Sequence, residues 1–343
     1  MPIENRNNSS TETMDSKTTL ENPIKSTFVA IRAHHVEGVA LCARVTEEIS
    51  LMAVAKANFS IHIFGLRLHE IGEDAYWTSG ETITLQGHNS TVYIGSFSSD
   101  GYHLITCSDD FDMRMWNIQS KSCVGFCPRT NSYIRDIAFD SNHTPFATVE
   151  DVGYASIWEA DGRNIYYLKR VYQESPLTVC IFHPSKKYIV SGSASCVVRM
   201  WDHASDDFAI NIDLGHKSAI TALAFSLLGK YLVAGAEDGI ILVWDVQRKV
   251  LMRRLSQHKA AITSIDFSLD NTRFAVGSQD TQMSVWDSIK LVLASERWMS
   301  HNISDKDLLM DSRSSECGNV LKVRFVSDRH LMGICVETSG DDK

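Results

Sequence analysis

Three pairs of histidine and aspartate recur along the chain, each at a fixed distance from a tryptophan. The sets are His88, Asp110 and Trp116; His216, Asp238 and Trp244; and His258, Asp280 and Trp286. A histidine held by a carboxylate can act as a general base, so one such pair alone would suggest acid-base catalysis. An active site needs a single constellation, whereas this pair returns from repeat to repeat. We therefore interpret the pairs as a structural network and predict that the protein is not an enzyme.

A hydroxyl group can connect each tryptophan to its pair. In the first set Thr106, on a predicted strand, is placed to link the Trp116 indole through the imidazole to the carboxylate. Such a chain pairs buried polar groups with each other. Two intermediate repeats lack the pair: the histidine position holds Thr130 and Gln173, and the aspartate position holds Val152 and Ser195. We expect these two repeats to be the least rigid.

Other motifs that carry chemistry are missing from the sequence. It contains no phosphate-binding P-loop, no GxGxxG after a strand, no HExxH and no GxSxG. His34 and His35 are adjacent, so on a strand they point to opposite faces and cannot share a metal. Cys123 and Cys127 are too far apart for a CxxC zinc clamp, and no histidine pair completes a site. We predict no cofactor and no metal.

The elements that position these residues form an internal repeat. Five phenylalanines are each followed nineteen positions later by a tryptophan: Phe97 and Trp116, Phe139 and Trp158, Phe182 and Trp201, Phe225 and Trp244, Phe267 and Trp286. Successive tryptophans lie 42, 43, 43 and 42 residues apart, which is the period of four-stranded blades in a propeller. The sequence therefore predicts an all-β fold, a WD40 β-propeller.

The same spacing extends the predicted propeller to seven blades. Val45 and Phe64 take the two positions in a first blade, and Phe325 begins a last blade without a full set of strands. Open sheet edges aggregate, so ring folds commonly complete the last blade with an N-terminal strand. Residues 28–32 are the candidate for that strand.

Composition divides the chain into a tail and one domain. Residues 1–26 are polar with little to bury, which predicts a disordered tail; residues 27–343 are assigned to the propeller. Two insertions, at about 66–86 and 291–319, interrupt the period and are predicted to be exposed loops.

The charge and hydropathy of the chain exclude several kinds of partner. A net charge of -9 gives no attraction to phosphate backbones or anionic lipid. No apolar run reaches the length of a membrane span, and the N-terminus lacks a secretory profile. We predict no direct nucleic-acid binding and no membrane association.

Partner contacts are predicted at one opening of the propeller channel. The residue four positions before each repeat phenylalanine should face that opening, and two of these positions hold Tyr93 and Arg135, with Tyr133 nearby and Leu321 in the last repeat. Aromatic residues and arginine are enriched among interface anchors. An ordinary solvated rim is the alternative for each of them.

The later repeats carry a more particular likeness. The stretches FHPSKKYIVSGSASCVVRMWD, GHKSAITALAFSLLGKYLVAGAEDGIILVWDV and WDSIK resemble the C-terminal propeller of the WD-repeat subunit of TFIID, the fifth TBP-associated factor. The resemblance spans about residues 28–337. It implies a non-catalytic nuclear scaffold that contacts histone-fold TBP-associated factors within TFIID, or within the related SAGA coactivator, for transcription initiation by RNA polymerase II.

That family carries a LisH motif and a helical domain ahead of the propeller, whereas this chain has only 27 residues before its first predicted strand. We therefore expect no self-dimer through this region. A cullin ubiquitin-ligase substrate receptor is an alternative function. The WDxR signature of such receptors is missing, because Trp201 and Asp202 are followed by His203 and Ala204.

Overall fold

The computed structural model describes residues 25–31, 38–45, 50–56, 58–71, 74–127, 132–140, 145–160, 164–202, 210–212, 215–295, 304–315, 318–325 and 330–337. The predicted tail at 1–26 lies outside this part except for its last two residues. His34, His35 and Thr130 also lie outside it.

The described chain is almost entirely β-structure. The strands of the first half are β1 (Lys25–Ile31), β2 (Gly38–Val45), β3 (Ser50–Lys56), β4 (Ile61–Ile71), β5 (Asp74–Leu85), β6 (Val92–Phe97), β7 (His103–Ser108), β8 (Met113–Asn117), β9 (Ser122–Cys127), β10 (Ile134–Phe139), β11 (Phe146–Glu150), β12 (Tyr154–Ala160) and β13 (Ile165–Tyr172). Those of the second half are β14 (Leu177–Phe182), β15 (Tyr188–Ser193), β16 (Val198–Asp202), β17 (Ile210–Ile212), β18 (Ile220–Phe225), β19 (Tyr231–Ala236), β20 (Ile241–Asp245), β21 (Val250–Leu255), β22 (Ile262–Phe267), β23 (Arg273–Ser278), β24 (Gln282–Asp287), β25 (Leu309–Ser314), β26 (Gly318–Phe325) and β27 (His330–Glu337). Two helices, α1 (Ser288–Ser295) and α2 (Asp305–Leu308), lie between β24 and β25.

Six antiparallel sheets of four consecutive strands form the blades, starting at β2, β6, β10, β14, β18 and β22. The first strands of successive blades contact each other in chain order, so they are the innermost strands. This arrangement confirms the predicted all-β propeller, with six four-stranded blades among the described residues.

Cross-strand register explains the nineteen-residue spacing. In the blade starting at β10, Phe139 pairs with Phe146, which pairs with Trp158 on the third strand. Two hairpin connections therefore place the three residues in one row across the sheet, side by side on adjacent strands. Within this row the Phe146 and Trp158 rings stack with centroids 6.4 Å apart. The row places its largest side chains between neighbouring blades, where burial of apolar surface stabilises the ring.

A further three-stranded sheet has the order β1, β27, β26, with β1 parallel to β27. Its strand β26 contacts β22 of the sixth blade and β2 of the first blade. Val320, Val323 and Phe325 of β26 are buried against Ala275, Met283 and Val285 of the sixth blade.

Both predicted insertion loops contain regular structure, so that prediction was wrong. Strands β4 and β5 run through most of residues 66–86 as a long hairpin paired from Ile61 and Leu85 to Ile71 and Asp74. In the second insertion, β25 supplies the outer strand of the sixth blade, and helix α1 buries Leu291 and Ala294. The spacing from phenylalanine to tryptophan covers only the first to third strands of a blade. It therefore gives no information on segments inserted at the outer edge.

One glycine fixes a turn beside the predicted network. Gly239, after Asp238, has a φ of +77°, and a Cβ there would lie 2.6 Å from the carbonyl oxygen of His258. Only glycine fits that combination of left-handed backbone and close approach. No helix of the described chain is both long and apolar enough to cross a bilayer.

Candidate functional site

The first histidine network joins four side chains of the second blade. The Trp116 indole donates to the Thr106 hydroxyl at 2.8 Å, and that hydroxyl lies 2.8 Å from His88 Nε2. His88 Nδ1 lies 3.0 Å from Asp110 Oδ2. The carboxylate can only accept, which assigns the proton of the neutral imidazole to Nδ1. Nε2 is then an acceptor, so the hydroxyl donates to it while accepting from the indole.

Electrostatics hold this network in one protonation state. Burial lowers the pKa of His88. The hydrogen bond and the charge of Asp110 act to raise it, but they do not reverse the shift. Burial alone would raise the Asp110 pKa, but hydrogen bonds from the N–H groups of Asn89 and Asp112 and from His88 keep it below its usual value. The pair is therefore a neutral imidazole beside a carboxylate at neutral pH. The His88 side chain has no exposed surface, so a solute cannot reach it without displacing Thr106 or Asp110.

The sixth blade forms the same chain with a different hydroxyl. His258 Nδ1 lies 3.0 Å from Asp280 Oδ2, and His258 Nε2 lies 2.7 Å from Ser284 Oγ, which accepts from the Trp286 indole at 2.9 Å. Sequence reasoning missed Ser284 because it looked for a hydroxyl on the second strand. In the sequence, Ser284 could have been found as a serine two residues before the repeat tryptophan.

The network predicted in the fifth blade does not form. Both ring nitrogens of His216 and the indole nitrogen of Trp244 are buried without a hydrogen-bond partner. Ala234 occupies the position of Thr106 and Leu242 that of Ser284, so no hydroxyl bridges the indole to the imidazole. Burial lowers the pKa of His216 to about 4, opposed by the charge of Asp238 and by the Ala234 carbonyl. His216 is therefore neutral and poorly solvated.

The third blade replaces the pair with a buried glutamate that sequence reasoning missed. Glu150 is 4% exposed and accepts hydrogen bonds from Ser132 and Arg170 and from Ser156 at 3.0 Å. The guanidinium carbon of Arg170 lies 3.7 Å from the centre of the Tyr154 ring. In the sequence, this ion pair could have been found from a glutamate at the end of the second strand followed by an arginine twenty residues later.

The remaining substituted positions carry smaller contacts. Gln173 is buried and its N–H donates to the Gly153 carbonyl at 2.8 Å, while Val152 is exposed. In the fourth blade Ser195 Oγ lies 3.0 Å from Ser193 Oγ, and its N–H donates to Ser175 at 3.2 Å. The lower rigidity expected for these two blades stays a prediction.

Three aromatic residues meet at the predicted partner rim. The rings of Tyr93 and Tyr133 pack edge to face with centroids 5.7 Å apart, and Phe111 lies 5.9 Å from Tyr133. Tyr133 is 44% exposed and Phe111 43%. The Tyr93 hydroxyl accepts from the Ile134 N–H at 3.2 Å, which ties one blade to the next. We call Tyr93, Phe111 and Tyr133 the aromatic rim.

A cleft of about 350 Å³ opens beside the aromatic rim, between Asp109 and Arg135. The Arg135 side chain is 58% exposed and lies 3.9 Å from Asp151, which is long for an ion pair. The predicted rim residue Leu321 is half-buried on β26 and does not line this cleft.

In two later repeats the position four residues before the phenylalanine holds a threonine that bonds to the next sheet. Thr178 and Thr263 donate to the carbonyls of Ile220 and Val320 in the following sheets. Of the positions that differ, Arg135 leaves its side chain exposed, whereas Tyr93 is half-buried and bonds the next blade through its hydroxyl. In the described residues no three His, Cys, Asp or Glu side chains are grouped as metal ligands, and burial raises the pKa of the Cys107 and Cys180 thiols.

Comparison with known families agrees with this architecture. The family "WD domain, G-beta repeat" matches residues 80–117, 168–202, 210–245 and 249–287. The chain is therefore a WD-repeat protein with a β-propeller fold.

Several WD-repeat proteins of different function are similar to part of the chain. TFIID subunit 5 of Caenorhabditis elegans is 30% identical over 154 residues, which is 44% of this chain and 23% of the relative. Mouse apoptotic protease-activating factor 1 is 27% identical over 42% of this chain and 11% of the relative. Human translation initiation factor 3 subunit I is 25% identical over 40% of this chain and 45% of the relative. The match thus spans less than half the length of each of these relatives.

Proposed function

We propose that this protein is a non-catalytic scaffold subunit of a TFIID-like general transcription factor complex. The observation that carries the proposal is the 30% identity with a TFIID subunit 5 over 154 residues. The role is nuclear, supports transcription initiation by RNA polymerase II, and is exerted through contacts with other proteins.

Three features of the site support a binding role over a catalytic one. The His88 and His258 rings have no exposed side-chain surface and contact a carboxylate and a hydroxyl, so they serve the fold. The aromatic rim instead combines exposed rings, a cleft and Arg135, and these residue types are enriched at interface anchors. We place the contact with histone-fold TBP-associated factors at the aromatic rim.

We also propose that the three-stranded sheet is the seventh blade and that β1 closes the ring. The pairing of β1 with β27 and the contacts of β26 with both neighbouring blades support this closure. A closed ring removes the unpaired edge that β27 would otherwise present. Deleting residues 1–31 should then lower stability and promote aggregation, whereas deleting residues 1–24 should not.

Affinity purification tests the proposed complex. The tagged protein is recovered from nuclear extract at moderate salt, and its partners are identified by mass spectrometry. We expect TBP-associated factors in stoichiometric amounts, with SAGA subunits as the related alternative. Recovery with translation initiation factor 3 subunits, with a cullin adaptor, or with no TBP-associated factor would refute the proposal.

A further inference from the structure

Two neighbouring turns at one end of the channel carry leucine on their exposed tips. Leu227 and Leu228 follow the fifth inner strand β18 and are 64% and 83% exposed, and Leu269 follows β22 and is 55% exposed. The equivalent turn of the second blade holds Ser99 and Asp100. Leucines at such tips add nothing to the core, and clustered exposed apolar residues mark interaction sites. We call Leu227, Leu228 and Leu269 the leucine patch.

Hydrogen bonds between turns hold the leucine patch in place. The Leu227 N–H donates to Asn271 Oδ1 at 2.9 Å, which joins the fifth and sixth blades. On the other side His183 Nε2 lies 3.1 Å from the Gly229 carbonyl oxygen, and the His183 ring packs on Phe225 at 4.8 Å. A surface that is already ordered loses little entropy when it binds a partner.

The leucine patch borders a concave surface. The inner strands surround a cavity of about 610 Å³, and Pro184, Leu227 and Leu269 lie at its mouth. A groove rimmed by apolar side chains fits the apolar face of a helix. A flat bilayer would reach the leucine tips but not the cavity.

The turns that carry and flank the leucine patch have a positive charge, in contrast to the net charge of -9 of the whole chain. The three turns 183–187, 226–231 and 268–273 contain four cations, Lys186, Lys187, Lys230 and Arg273, and one anion, Asp270, which gives 4 − 1 = +3. The carboxylate of Asp270 accepts hydrogen bonds from the hydroxyls of Ser268 and Thr272.

Three aspartates outside these turns approach the lysines without covering them. One is Asp245, which is 2% exposed and acts on Lys230. Lys186 lies 4.0 Å from Asp140, and Lys187 lies 3.6 Å from Asp202. The lysine side chains are 41% and 60% exposed, whereas those of the aspartates are 11% and 15% exposed. An approaching partner therefore meets the ammonium groups first.

We propose that the leucine patch binds an acidic amphipathic helix of a partner protein. Its apolar side chains, spaced i, i+3 or i+4, contact the three leucines and the mouth of the cavity, and its carboxylates face Lys186, Lys187 and Lys230. A second copy of this chain is disfavoured, because two leucine patches would bring like charges together. The surface lies at the opposite end of the inner strands from the aromatic rim, so this inference does not depend on the proposed TFIID-like role.

Fluorescence anisotropy with synthetic peptides tests the proposal on the full chain. The probe is a labelled 18-residue helical peptide with leucine on one face and glutamate on the other. A scrambled peptide of the same composition and a lysine-for-glutamate peptide are controls, and anionic phosphatidylserine vesicles form a separate arm. We expect the acidic amphipathic peptide to bind at micromolar concentration and at least about tenfold more tightly than either control peptide, with affinity falling as salt rises.

Matched variants locate the binding surface. Leu228→Ser with Leu269→Ser should weaken peptide binding by about tenfold or more, because both leucines are removed from the contact. The control is Leu251→Ser with Leu293→Ser, which changes two leucines that are 41% and 46% exposed elsewhere, and it should bind like the wild type. Equal binding by both double variants, preference for the scrambled or basic peptide, or binding to vesicles alone would each overturn the proposal.

Discussion

Trp116 and His88 share one hydroxyl: the indole nitrogen and the imidazole Nε2 both lie 2.8 Å from Thr106 Oγ1. The same arrangement in the sixth blade uses Ser284, whose position in the chain differs. In these two blades a hydroxyl therefore lies at the same point in space, although it comes from a different strand in each.

Removing the shared hydroxyl should destabilise the second blade. In Thr106→Val, the buried indole and imidazole nitrogens both lose their partner, and we expect a loss of about 2–3 kcal/mol in the free energy of unfolding, measured by urea denaturation. Thr221→Val is the matched control, because that hydroxyl makes one long contact of 3.3 Å to the Gly235 carbonyl. Equal losses in the two variants would show that the shared hydroxyl has no special role.

Adding the missing hydroxyl should stabilise the fifth blade. Ala234→Thr places an oxygen between the indole of Trp244 and the ring of His216, whose nitrogens are unpaired. We expect a gain of about 1 kcal/mol in urea denaturation. Made together with Trp244→Phe, the same change should give no gain, since the donor is gone. A gain that persists in that background would point to packing instead.

The low pKa of His216 makes stability depend on pH. Its pKa is about 4 in the folded protein and about 6.5 when unfolded, so the unfolded state binds the extra proton between these values. Stability should therefore fall as the pH drops from about 6.5 to 4, by on the order of 3 kcal/mol from this residue, and not further below pH 4. His216→Leu should reduce the fall of the urea midpoint between pH 7 and 4.5, because of the three buried repeat histidines only His88 and His258 then contribute in this direction. Parallel curves for variant and wild type would contradict this assignment.

The third blade should depend on its buried glutamate. Glu150→Ala leaves Arg170 and two serine hydroxyls without their acceptor, and we expect a loss of about 2–3 kcal/mol by thermal or urea unfolding. Glu159→Ala changes an exposed glutamate nearby and should cost less than about 0.5 kcal/mol. A neutral result at Glu150 would contradict a stabilising role for the buried glutamate and its partners.

The repeat spacing predicted the parts of the fold that repeat and missed those that do not. Phe139 and Trp158 lie in one cross-strand row, so their separation reports the blade directly. Helix α1 belongs to one blade only, and it lies between Trp286 and β25. This outer strand therefore begins much later after its tryptophan than β9, β13, β17 and β21 do in their blades. For the networks, the pattern located His88 and Asp110, but the hydroxyl partner depends on which strand faces the imidazole, as Ser284 shows. The missing hydroxyl bridge at His216 follows from Ala234 and Leu242, which lie outside the histidine, aspartate and tryptophan pattern.

The most direct test of the account compares partner recovery by two double variants. Tyr133→Ser with Arg135→Ser removes the exposed anchors beside the aromatic rim, while Tyr166→Ser with Arg248→Ser removes a tyrosine that is 45% exposed and an arginine whose side chain is 65% exposed elsewhere. We expect the rim variant to fold with an unchanged urea midpoint. In purification from nuclear extract it should lose at least about nine tenths of its TBP-associated factors, whereas the control variant should retain them. Full recovery by the rim variant, or equal loss by both, would contradict it.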